Sequence, residues 1–106
     1  MNMRMNMRMD NGVVVCPSCG GLNLHHGAVE HFHRYYEDDP KGTNICVENG
    51  VIQTFVNADM SGSPSSRRSG MRIDMECEAC GELSHDLAIY QHKGVTIIEW
   101  VPCQYV

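Results

Sequence analysis

The sequence predicts a mostly β fold, an antiparallel sheet built on two cysteine turns with a long β-hairpin insert between them. Three observations lead there. The pattern Cys-x-x-Cys-Gly occurs twice, at Cys16–Gly20 and Cys77–Gly81. Asn49-Gly50 lies between runs of β-branched residues, the preferred two-residue hairpin signal. No segment sustains a helical period with caps, whereas Met71, Ile73, Met75 and Cys77 alternate with Arg72, Asp74 and Glu76 at strand period.

Taken in order, Met1 to Asp10 repeats Met-Asn-Met-Arg and holds five of the eight methionines. It is low in complexity, and residues 1–10 are expected to form a frayed, disordered tail, with an edge strand as the alternative that alternating Met permits. Residues 11–106 form the single domain. Val13 to Val15 lead into the first cysteine turn. From Leu22 to Tyr36 the chain reads as a strand, with Val29, His31, His33 and Tyr35 on one side and Ala28, Glu30, Phe32 and Arg34 on the other. Glu37 to Gly42 is a polar turn. Thr43 to Glu48 and Val51 to Asn57 make the hairpin around Asn49-Gly50. Ala58 to Gly70, rich in Ser, Gly and Arg, is a loop whose order the sequence leaves open. The strand ending at Cys77 follows, then the second cysteine turn. Leu83 to Ile89 runs to a turn at Lys93-Gly94, and Val95 to Val101 returns as the last strand.

The two cysteine turns carry the chemistry. Two residues between cysteines let both sulfurs face one ion, and the turn's N–H groups offset the thiolate charge. Gly20 and Gly81 fall where the chain bends away at positive φ. One Cys-x-x-Cys can be a redox pair, but that reading goes with a βαβ pattern absent here. Cys16, Cys19, Cys77 and Cys80 are therefore the candidate ligands of one structural Zn2+, because four thiolates close a tetrahedral site. This is the layout of a zinc ribbon. Residues 20–76 separate its halves, where about 15–20 residues is usual. Loop closure grows only logarithmically with length, adding roughly 1 kcal/mol for a threefold longer loop. Structural zinc is worth roughly 10–16 kcal/mol, so the insert is affordable. Its two ends must meet at the ion, so the strands leaving Cys19 and entering Cys77 are expected to be neighbours.

Charge and composition restrict the function. The net charge is −5, from 13 acidic residues against 8 Lys and Arg. General nucleic-acid binding needs Lys and Arg to displace counterions, so that class is disfavoured. No apolar run is long enough to span a membrane, and the start lacks the apolar stretch of a secretory signal. Thiolate sites suit a reducing compartment, so a cytoplasmic location is expected.

Other candidates are weaker. Cys46 and Cys103 read as small half-buried side chains. His25-His26, His31 and His33 can chelate, but also suit the polar face of a sheet. Cys46-Val47-Glu48 matches by letter the Cys-x-Glu of zinc deaminases, yet Glu76 stands where their proline should be and the segment reads as a strand. HExxH, G-x-S-x-G and the P-loop are absent, and no enzyme is expected. The loop around Ser65, Ser66, Arg67 and Arg68 is the best binding surface by composition, since arginine forks suit phosphate or carboxylate. The opposing expectation is that these arginines pair with Glu37, Asp38 and Asp39.

The succession of Cys16-Pro17-Ser18-Cys19-Gly20, Pro64-Ser65-Ser66-Arg67-Arg68-Ser69-Gly70, Cys77-Glu78-Ala79-Cys80 and Gln91-His92-Lys93-Gly94-Val95-Thr96 resembles small zinc-ribbon proteins of bacteria and bacteriophages. The resemblance spans residues 13–101. It implies a small cytoplasmic metal-stabilised module and no reaction. The functional expectation is a non-catalytic module that binds a protein, with a homodimer through a strand edge as a further possibility. The alternative is a transcription-associated ribbon touching nucleic-acid phosphate through Arg67 and Arg68.

Overall fold

Turn chemistry sets the topology of this chain. The computed structural model describes residues 3–104. It contains β1 (Met5–Asn6), β2 (Met9–Asp10), β3 (Val13–Val14), β4 (Leu24–Arg34), β5 (Lys41–Glu48), β6 (Val51–Asp59), β7 (Gly70–Cys77), β8 (Gly81–Glu82), β9 (His85–His92) and β10 (Val95–Pro102), with no helix among the described residues. Asn49-Gly50 and Lys93-Gly94 both adopt positive φ at both positions, 52° and 78° in the first and 49° and 82° in the second. These are type I′ turns, whose twist matches that of the strands they join. They close the β5–β6 and β9–β10 hairpins with Glu48 opposite Val51 and His92 opposite Val95.

The main sheet runs β1-β10-β9-β7-β4-β5-β6, all antiparallel, with β8 alongside the end of β7. The strand leaving the first cysteine turn does lie against the one entering the second, Leu24 opposite Cys77 and Phe32 opposite Gly70. A bulge between His26 and Val29 interrupts that register. The insert is thus sheet throughout: β4 and β7 form its base and the β5–β6 hairpin extends it.

The amino-terminal segment departs from the frayed tail expected for residues 1–10, of which Met1 and Asn2 lie outside the described residues. Met5 and Asn6 pair with Trp100 and Glu99 on β10. Met9 and Asp10 pair with Val14 and Val13 around a third positive-φ turn, Asn11-Gly12. Two side-chain forces hold the segment. Met5 and Met7 pack against the cluster of Cys16, Cys77, Leu83, Leu87 and Trp100. Arg4 donates to Glu99 Oε1 at 2.7 Å, to Tyr90 Oη at 3.0 Å and to the Pro64 carbonyl at 2.8 Å. Its guanidinium also lies over the Tyr90 ring, 5.4 Å from the centroid, a cation–π arrangement. Alternation of Met with polar residues is what an edge strand over a core requires.

The loop between β6 and β7, residues 60–69, is packed onto the sheet. Met60, Ser63, Pro64 and Ser65 are buried in it. Its carbonyls are gripped from below by arginines. Arg34 donates to Arg68 O and Ser65 O at 3.0 Å each, to Met60 O at 3.5 Å and to Asp39 O. Arg72 reaches Gly62 O at 2.7 Å and Pro102 O at 3.0 Å, and pairs with Asp86 at 3.2 Å. Loop and carboxy-terminal segment therefore cover part of one sheet face, the one bearing Phe32, Arg72, Ala88 and Tyr90. The opposite face carries Ile73, Leu87 and Trp100, covered at the cysteine end by the amino-terminal strands.

Candidate metal centre

The four knuckle cysteines meet at one end of the sheet. β3 delivers Cys16 and the turn returns through Gly20 to β4, while Cys77 ends β7 and the second turn leads into β8. Gly20 N–H donates to Cys16 O at 3.0 Å, closing the first turn, and Cys16 N–H donates to Gly21 O at 2.8 Å. Gly20 and Gly81 have φ of 77° and 79°, as the sequence reading expects of glycine there. Gly21 N–H approaches Cys19 Sγ at 3.4 Å, the turn amide facing the sulfur. The knuckles are linked to each other by Glu78 N–H donating to Asn23 O at 3.1 Å, and His25 Nε2 lies 2.8 Å from Glu78 Oε1.

All four Sγ atoms lie within 4.8 Å of one another. Cys19 and Cys77 sulfurs are 3.7 Å apart. A tetrahedron with metal–sulfur bonds of about 2.3 Å has edges of about 3.8 Å, so this cluster has the dimensions to hold one thiophilic ion. Cys16 and Cys77 are buried against the core, whereas Cys19 and Cys80 are exposed. No disulfide joins any of the six cysteines.

The sulfurs differ in acidity. The Cys77 thiol is held down to about 7, first by the Cys80 N–H and then by that of Ala79, which favour the thiolate. Cys80 is pushed up to about 12, chiefly by its hydrogen bond with Cys19, with burial contributing. Thiolate is the form that ligates a metal, so binding of an ion is coupled to loss of the thiol protons. Four thiolates fill a tetrahedral shell, with no position left for water or substrate. Among the described residues, no other set of three or more His, Cys, Asp or Glu is close enough to hold an ion.

The remaining candidates are placed elsewhere. Cys46 lies within β5, with Sγ 3.7 Å from Glu30 Oε2; burial and that carboxylate push its thiol up. Cys46-Val47-Glu48 is strand and does not contribute to the metal cluster. Cys103 donates to Asp86 at 3.4 Å, and burial followed by Asp86 pushes it up to about 11. Both thiols line a groove of about 900 Å³ with Glu30, Asp74, Glu82 and Asp86. His31 and His33 stack with ring centroids 6.3 Å apart on the open sheet face. Burial, then His33, lowers the His31 pKa. His85 is buried, its Nε2 2.7 Å from Met3 O.

The Ser/Arg loop makes contacts within the protein, with Arg67 and Arg68 still exposed. Arg67 pairs with Glu37 at 2.9 Å and with Asp38 at 2.8 Å, and Arg68 with Glu37 at 3.4 Å. Arg67 holds the Asp38 carboxyl below its usual range. Ser65 is buried, donating to Gln91 O at 3.0 Å and accepting from Arg68 N–H at 2.9 Å. Ser66 is exposed. The expected internal pairing with Glu37 and Asp38 is present, whereas the Asp39 side chain accepts from Lys41 N–H and its carbonyl from Arg34.

No protein-family model, curated protein or solved structure matches this chain. Among the described residues, no helix is long and apolar enough to cross a membrane.

A surface that sequence reasoning missed is the open face of the sheet. Register places Thr54, Ile45, His31, Met71, Ile89 and Ile98 in one row across six strands. The next row holds Ile52, Val47, Val29, Ile73, Leu87 and Trp100. Packing covers Leu87 and Trp100, but Val47, Ile52 and Ile98 are 38%, 68% and 42% exposed. Alternation in the sequence defines these faces; only tertiary packing decides which part of them is covered.

Proposed function

We propose that this chain is a non-catalytic, zinc-stabilised binding module that docks another protein on its open sheet face. Zinc is the ion that best suits four thiolates at these separations, being thiophilic and content with a closed tetrahedron. Such a site stabilises the fold and offers no position for a reaction. The observation that carries the binding role is the partly open apolar face, where Val47, Ile52 and Ile98 are exposed and Ile45, Met71 and Ile89 are half-buried beside them. Extended apolar surface on a small protein marks an interaction site. The nucleic-acid alternative draws little support, because Arg67 and Arg68 already face carboxylates.

Metal analysis and capture together test this reading. Purified chain should carry one zinc, and less than one with no loss of fold on chelation overturns the structural role. Zinc-loaded wild type and Ile89→Lys/Ile98→Lys should have the same circular dichroism, yet only wild type should retain a protein partner from native extract. Equal capture by both overturns the docking face. Salt-sensitive nucleic-acid retention that falls with Arg67→Ala/Arg68→Ala would replace it with the alternative.

A further inference from the structure

We infer that β6 pairs antiparallel, edge to edge, with β6 of a second copy of this chain, about a two-fold axis through Thr54. The two ends of the main sheet are treated differently. At one end, β1 lies along β10 and covers part of its outer edge. At the other, β6 is exposed along nearly its whole length, and Val51, Ile52, Phe55 and Val56 are 60%, 68%, 49% and 70% exposed. From Val51 to Val56 it contains no charge, no proline and no glycine; a bulge ends this stretch, where Asn57 takes φ 53° and donates its N–H to Tyr35 Oη at 3.0 Å. Monomeric proteins guard long edges with such residues because an open ladder templates pairing.

Backbone geometry fixes which residues offer hydrogen bonds. The two-residue Asn49-Gly50 turn makes Glu48 and Val51 a hydrogen-bonded pair. Alternation then turns the N–H and C=O of Ile52 and Thr54 away from β5, toward open solvent. These are the groups that a second strand takes up.

Side-chain matching points to the occupant as another copy. With Thr54 opposite Thr54 of the second copy, Ile52 meets Val56 on the open face, twice by symmetry. Threonine pairs and β-branched pairs are both favourable across strands. On the other face Phe55 opposes Gln53 and lies diagonal to Phe55 of the second copy, within aromatic reach. The nearest charges, Glu48 and Asp59, lie outside the paired stretch Val51–Val56: Glu48 is across the Asn49-Gly50 turn and Asp59 is beyond the bulge at Asn57. A register centred on Gln53 instead sets Val56 against Gly50 of the second copy and loses that apolar pair. The interface is isologous and therefore closes at two copies. Because the axis is perpendicular to the sheet, both open apolar faces lie on the same side. The pairing does not depend on the docking role proposed above, but it doubles that platform.

Sedimentation velocity of the zinc-loaded full chain, from 1 to 100 µM, tests the pairing (roughly the range in which modest interfaces assemble). Wild type should move from one to two chains over this range. Thr54→Lys sets two ammonium groups face to face at the axis, and should weaken association at least about 10-fold. Thr54→Glu should do the same, whereas an equimolar mixture of the two should form a heterodimer. Circular dichroism should be unchanged, since residue 54 is exposed. Ile89→Lys/Ile98→Lys, remote from β6, should still dimerise, which separates this pairing from docking on the face. A wild-type monomer at 100 µM, undiminished association of Thr54→Lys, or no rescue in the mixture overturns the proposal.

Discussion

Arg34 shows how one side chain can order a loop that composition marks as flexible. Its guanidinium is buried and faces backbone carbonyls of Asp39, Met60, Ser65 and Arg68. A planar fork of five donors can serve several acceptors at once; an ammonium cannot. Arg34→Met keeps most of the packing volume but strands buried carbonyls, and should cost about 3 kcal/mol in urea unfolding. Arg34→Lys should fall between it and wild type, and a loss below about 1 kcal/mol for Arg34→Met would remove the clamp from this account. Cys103 gives a pH-dependent prediction. Its thiol is raised to about 11 in the fold by burial and Asp86, against about 8.5 in an unfolded chain. The unfolded state therefore loses this proton first as pH rises. The contribution is fully present below about pH 8.5 and is lost as pH climbs toward 11. Urea midpoints from pH 8 to 10.5 should fall more steeply for wild type than for Cys103→Ala, and parallel slopes would contradict the assignment.

At the scale of elements, two glycines of the β5–β6 hairpin play different roles, and substitution should separate them. Gly50 has φ of 78° with open space where a side chain would stand. Gly50→Ala therefore suffers only the conformational penalty, about 1 kcal/mol. Gly42 lies where β5 crosses the His33 carbonyl, and an added Cβ would collide with that oxygen and meet Met60 Sδ at 2.8 Å. Neither strand can yield without breaking the ladder, so Gly42→Ala should cost about 3 kcal/mol. Equal urea midpoints for the two variants would show that the crossing relaxes. This contrast also explains what was legible in the sequence. Asn49-Gly50, Lys93-Gly94 and the Cys-x-x-Cys-Gly turns are local chemistry, and the six long strands and the four-sulfur cluster follow from them. Asn11-Gly12 carries the same signal, masked by the Met-rich repeat before it. The anchoring of Met5 and Arg4, the arginine grips on the 60–69 loop and the internal pairing of Arg67 depend on residues far apart in sequence. No period or spacing announces them. Which apolar residues stay uncovered is likewise set by what packs above the sheet, so the open face and the β6 edge emerge only from the fold.

For the whole molecule the question is whether the metal end and the rest of the sheet stand or fall together. Cys16 and Cys77 belong to the same buried cluster as Leu83, Leu87 and Trp100, with Met5, Met7, Val14 and Leu24 packed around it. The ligands are therefore part of the principal core. Structural zinc is worth roughly 10–16 kcal/mol, comparable to the entire stability of a domain this size, about 5–15 kcal/mol. The second cluster, Ala88, Tyr90 and Val101 with Ile97, is too small to hold six long strands on its own. Chelation should accordingly unfold the chain cooperatively, without leaving a folded sheet stripped of its base. Trp100 is the single tryptophan and is 1% exposed, so its emission reports the core directly. In a chelator titration the red shift of Trp100, the loss of β-sheet circular dichroism and the release of zinc should share one midpoint. Zinc release that precedes both optical changes would mean that the sheet stands without its metal, and that the four sulfurs serve a purpose other than fastening it.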